Sequence, residues 1–148
     1  MVGEVDYMFD RVHEEDLRKA FMKKPEFFKI AQGIYLAKKP EDFLSAIVRC
    51  DVMYPPVWKV IVPHIDPETK QIQNIGANYY IVHMKSRYLF NTDSKVVLYF
   101  RGTYGYGGTG CYESAVIEKG LKLMELPIEV RGGDYLLSLL FVEGSEFN

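Results

Sequence analysis

The chain reads as an α+β fold, on three observations. Helically spaced apolar residues fill the first third, strand-length apolar runs follow, and one more helical stretch comes after a glycine-rich turn. The expected arrangement is an N-terminal helical layer packed on an antiparallel or mixed sheet, with that further helix on one face. At 148 residues the chain is read as a single α+β domain, 1–148. A helical part covers 1–54, and a β-rich part covers 55–148 with the helix at 111–125.

In chain order, helices are expected over 14–22, 26–37 and 41–49. Their apolar stripes are Leu17 and Phe21, then Phe27, Ile30, Ala31 and Ile34, then Phe43, Leu44, Ile47 and Val48. The string Lys23-Lys24-Pro25-Glu26 recurs as Lys38-Lys39-Pro40-Glu41 and reads as shared punctuation at two helix starts. Proline suits the first helical turn, where its missing N–H is not needed, and an acid beside it complements the helix dipole. Pro55-Pro56 cannot continue a helix and marks the passage to strands. Strands are then expected over 57–62, 71–75, 79–84, 88–90 and 95–101, with turns at 66–69, 76–78 and 91–94. The helix 111–125 follows, and strands over 127–131 and 135–142 flank the turn Gly132-Gly133-Asp134.

Hydrophobic residues make up 48% and charged residues 26%, which argues against a disordered chain. The N-terminus has no basic segment leading into an apolar core, so no secretory leader is expected. No apolar run is long enough to span a bilayer, so no membrane partner is expected. Two cysteines far apart imply no disulfide framework and point to the cytoplasm. The net charge of −2 is unevenly spread: residues 57–106 carry six cations against three acids, and residues 107–148 carry three against seven. The basic middle points to an anionic partner.

The glycine-rich turn 101–110 is the feature that carries chemistry. Gly105-Tyr106-Gly107-Gly108-Thr109-Gly110 matches G-x-G-x-x-G between a strand and a helix, where bare backbone N–H groups at a positive helix end suit an anion. A full dinucleotide-binding domain is excluded, because only about forty residues remain and the preceding strands read as antiparallel. No Lys-Ser/Thr pair follows the turn, so the phosphate-and-magnesium loop pattern fails as well. Cys111, at the start of the helix, is the one candidate nucleophile, because a helix N-terminus stabilises a thiolate. His64 and Asp66 share a strand face, but no third ligand has recognisable spacing, so no metal and no cofactor are assigned.

Tyrosines and cations interleave around the turn. Exposed aromatic rings stack on unpaired bases while cations hold phosphates, so the first expectation is a binding protein for single-stranded nucleic acid. In that reading Arg101 and the turn residues Gly105, Gly107, Gly108 and Gly110 hold phosphate. Tyr99, Tyr104 and Tyr106 stack on bases, and Lys85, Arg87 and Lys95 add attraction. Strand alternation sets Val97, Tyr99 and Arg101 on the more polar face. The alternative is a nucleotide- or phosphate-ester-binding enzyme or regulator that uses the turn and Cys111. A further alternative is an interaction protein whose aromatics form a homo-oligomer contact.

Overall fold

A computed structural model describes residues 9–90, 95–104 and 109–132. After a 3-10 turn at Phe9–Arg11 come α1 (Glu14–Met22), β1 (Phe27–Ala31), β2 (Ile34–Ala37) and α2 (Pro40–Val48). Then follow β3 (Val52–Ile65), β4 (Ile72–Lys85), β5 (Lys95–Tyr104), α3 (Thr109–Leu123) and β6 (Ile128–Gly132). The strands form one mixed sheet in the order β1-β2-β5-β4-β3-β6. The pairs β2–β5 and β3–β6 are parallel, and the other three pairs are antiparallel. The α+β class is as the sequence predicts.

The first two helices each have a local cause. Glu14, Glu15 and Asp16 complement the dipole in the first turn of α1, and Leu17 and Ala20 face inward. The helix ends where the guanidinium of Arg49 takes its last carbonyls: Nη1 donates to Phe21 O at 2.8 Å and Nη2 to Met22 O at 3.0 Å. α2 starts with Pro40 in its first turn, and Asp42 Oδ2 accepts the Lys39 backbone N–H at 2.9 Å. The other oxygen of Asp42 accepts the Glu26 N–H at 3.0 Å and pairs with Lys23 Nζ at 2.9 Å. That buried carboxylate therefore ties α2 to the entry of β1.

The stretch 26–37 is not the expected helix. It is a hairpin, with Phe27 opposite Ala37 and Phe28 opposite Leu36, turning at Gly33 with φ +74°. Its aromatic and β-branched residues suit strands, and only glycine takes that φ cheaply. The two Lys-Lys-Pro-Glu strings thus do different jobs: the first leads into β1 and the second starts α2. The expected division into a helical 1–54 and a β-rich remainder falls with this, since β1 and β2 join the sheet formed by the later strands.

Pro55-Pro56 does not end an element. β3 runs through it, with a cis peptide between the two prolines and a register shift against β4 between Tyr54 and Trp58. Such an irregularity is where a sheet tolerates proline. The expected turn at 76–78 is also strand: Asn78 lies opposite Ile61 of β3 on one side and Gly102 of β5 on the other. Pairing on both edges overrides the local turn chemistry. Residues 88–90 form a turn rather than a strand, closed by Phe90 N donating to Ser86 O at 2.9 Å. The expected strand 135–142 and its preceding turn from Gly133 lie outside the described residues.

The helices cover one face of the sheet. Tyr80, Val82, Met84, Val97 and Tyr99 pack there against Leu17, Phe43, Leu44, Ile117 and Leu121. On the other face Ala31, Ile34, Val60 and Ile81 cluster with Trp58 and Tyr79. Two crossovers organise this layer. β2 leads through α2 to β3, and β5 leads through α3 to β6, each passing over two intervening strands.

Candidate ligand cleft

Parallel pairing of β2 with β5 (Ile34 with Val96, Leu36 with Leu98) sets the carboxyl end of β2 beside the middle of β5, which runs on to Tyr104. β2 is followed by α2, whose N-terminus lies at this end of the sheet, and Tyr112 and Glu113 of α3 come to the same place. Ligands in sheets with parallel strands favour this location, because strand ends leave room and helix N-termini attract anions. A cleft of about 440 Å³ opens there, within the range of small-molecule sites. Lys38, Lys39 and Glu41 line one side, and Tyr99, Tyr112 and Glu113 line the other.

The wall carries both signs of charge. Lys38 Nζ sits 4.7 Å from the centroid of the Phe28 ring. Among the described residues no carboxylate comes within 4.0 Å of the Lys39 ammonium. Opposite, the Tyr99 phenol donates to the Glu113 carboxylate. The Tyr112 phenol is pushed above its ordinary range, first by burial and then by the carboxylates of Asp16 and Glu41. The cleft therefore offers cations to an anionic group and a carboxylate to a hydroxyl or amino donor.

Comparison with models of known protein families, with curated proteins and with solved structures found no match.

Under α3 lies a second polar cluster. Lys59 Nζ pairs with Glu118 Oε2 at 2.7 Å, and the Tyr80 phenol donates to the same oxygen. Burial first, and the Glu118 charge second, push the ionisation of Tyr80 well above its ordinary range. Asn78 Nδ2 donates to Ser114 Oγ at 3.4 Å. Tyr80, Asn78 and Ser114 are all buried, so this cluster fastens α3 to β3 and β4.

The residues singled out from sequence do not form one site. Tyr99 is 1% exposed on the helix-covered face, so it is a core residue bonded to Glu113 and not a stacking platform. The alternation of Val97 with Tyr99 was sound, but the face they share is the inner one. Cys111 is fully buried among core residues, which removes it as an accessible nucleophile. Lys85 and Lys95 lie at the end of the sheet away from the cleft: Lys95 pairs with Met84, and Lys85 with Val52. Arg87 is exposed near them and faces Asp51, with Nε to Oδ2 at 3.7 Å. Lys95 and Tyr104 end a ten-residue strand, about 30 Å apart at the usual rise. Arg101 and Tyr104 lie in β5 and Gly110 in α3, whereas Gly105, Tyr106, Gly107 and Gly108 lie outside the described residues.

Lys38, Lys39 and Tyr112 are what the sequence reading missed. The repeated Lys-Lys-Pro-Glu string was the available signal, but only the parallel β2–β5 pairing sets its second copy opposite α3. Among the described residues no three His, Cys, Asp or Glu side chains group as metal ligands, and no helix is long and apolar enough to cross a membrane.

Proposed function

We propose that the protein binds a small phosphate-bearing ligand, of the nucleotide or phosphate-ester class, in the cleft between α2 and α3. The supporting observation is that Lys38 and Lys39, at the N-terminus of α2 and the end of β2, share one cleft with Tyr112 and Glu113 of α3. The lysines would take the phosphate, and Glu113 would accept from a ligand hydroxyl. The burial of Cys111 favours a binding role over nucleophilic catalysis. The working compartment is the cytoplasm, where Cys50 and Cys111, neither in a disulfide, remain reduced.

A titration calorimetry series with inorganic phosphate, phosphate esters and nucleotides tests the reading. Saturable binding, weakened about tenfold or more in Lys38→Ala/Lys39→Ala, is the expected result. No binding, or binding indifferent to both lysines, would overturn it. A second reading, a single strand of nucleic acid, is supported by Tyr88, 68% exposed, beside Arg87 at the far end of the sheet. Labelled single strands that bind in a salt-sensitive way and are not displaced by nucleotides would favour that reading.

A further inference from the structure

A smaller hollow of about 270 Å³ adjoins the cleft and shares Glu41 and Tyr112 with it. Its chemistry differs from that of the cleft. Ala20 and Val116, both buried, make an apolar lining, and the Tyr112 ring stands between the two compartments. Of the cations on its wall, Lys23 is held in a close ion pair and Lys19 makes a long, exposed one. Lys23 Nζ pairs with Asp42 at 2.9 Å and with Glu26 at 3.9 Å, and Lys19 Nζ with Glu15 at 3.9 Å. Its two carboxylates, Asp16 and Glu41, have no cation within 4.0 Å among the described residues. Those carboxylates offer acceptors to a flat ring with N–H donors.

We infer that the smaller hollow is the seat of a nucleobase bearing an exocyclic amino group, with Asp16 and Glu41 as its acceptors and the Tyr112 ring as its stacking wall. This inference rests on the phosphate-ligand reading of the adjoining cleft: the phosphate lies with Lys38 and Lys39, and the base lies beyond Tyr112. Asp16 comes from α1 and Glu41 from α2, so the seat exists only when both helices pack beside α3. Asp16 and Glu41 line the same hollow as Tyr112, and after burial their charges push its phenol upward. A base that offers a carbonyl in place of the amino group would set oxygen against carboxylate and lose a charge-assisted bond.

The test is calorimetric titration of the full chain with adenosine monophosphate, inosine monophosphate and ribose phosphate. Adenosine monophosphate should bind about tenfold more tightly than inosine monophosphate, since the exocyclic donor becomes a carbonyl facing the carboxylates and the N1–H that inosine gains replaces one of the two donors only. Asp16→Ala should shrink that ratio while leaving ribose phosphate affinity unchanged. Equal affinity for the two nucleotides would overturn the amino-base seat and leave the phosphate site standing. Ribose phosphate binding as tightly as adenosine monophosphate would overturn any base seat. Failure of all three to bind would overturn the phosphate reading and this inference with it.

Discussion

At Gly120 of α3 the Leu44 side chain of α2 comes close to the helix, and replacing the glycine with alanine tests that packing. A Cβ there would lie 2.6 Å from Leu44 Cδ1, 2.8 Å from Cδ2 and 3.2 Å from Cγ. Leu44 is fully buried, so its isobutyl group has no open space to swing into. Alanine gains about 1 kcal/mol of helix propensity over glycine. Overpacking in a closed core costs about 1–3 kcal/mol. With three atoms inside contact distance the clash sits at the upper end of that range, leaving a net loss of about 1–2 kcal/mol. For a chain of this size that lowers Tm by about 2–8 °C. Urea and thermal unfolding followed by circular dichroism would read it. Leu44→Ala alone should cost about 2–5 kcal/mol by opening a cavity. In Gly120→Ala/Leu44→Ala the new methyl occupies part of that cavity, so the pair should cost less than the sum by about 1 kcal/mol. A stabilising Gly120→Ala that adds independently to Leu44→Ala would refute the close approach.

Two further substitutions probe the fold, Asp42→Ala beside the cleft and His83→Gln in β4 toward the far end of the sheet. Asp42→Ala removes the acceptor for the Glu26 and Lys39 N–H groups and the partner of Lys23; it should cost about 3–5 kcal/mol in urea unfolding, and a cost under about 1 kcal/mol would discount the tie. His83 is held below its ordinary value of about 6.5 by burial. Above that value the imidazole is neutral in both states and contributes no pH dependence. As pH falls through it, the unfolded chain gains a proton that the folded chain resists, so stability is lost until the folded imidazole also protonates. His83→Gln should flatten the fall in urea midpoint between about pH 7 and about pH 5; parallel slopes in the two chains would count against it.

Local signals located the helices well and the hairpin badly, for a physical reason. Acids at 14–16 and the Leu17–Ala20 spacing are intrinsic to α1, and Pro40 is intrinsic to the start of α2. In 26–37 the apolar residues fit helical spacing, yet the deciding contacts come from elsewhere: pairing with β5 and the Asp42 carboxylate on Glu26. The same holds at 76–78, where a turn-like triplet is held straight by partners on both sides. Tyr99 shows the limit of alternation. Period two separates the faces of a strand, but it does not say which face the helices will cover. The cleft was illegible because Lys38 and Tyr112 are 74 positions apart, and only the crossover topology brings them together.

One row of α3 explains why the helical layer is closed at one end and open at the other. Tyr112, Val116 and Gly120 are spaced by four and share a face. Gly120 presents no side chain and lets Leu44 approach, Val116 lines the smaller hollow, and Tyr112 stands between that hollow and the cleft. Side-chain size thus grows toward the helix N-terminus, where the hollow and the cleft are lined. Gly120 and Tyr112 are eight residues apart, about 12 Å along the axis. Packing and binding are therefore separable. Gly120→Ala should move stability through a contact remote from the lysines. Lys38→Ala/Lys39→Ala should remove charge from the cleft at a stability cost of about 1 kcal/mol or less, since among the described residues what it breaks is the exposed pairing of Lys38 with the Phe28 ring. A double lysine variant that unfolded as readily as Asp42→Ala would mean that the cleft wall and the α2 start are one structural unit.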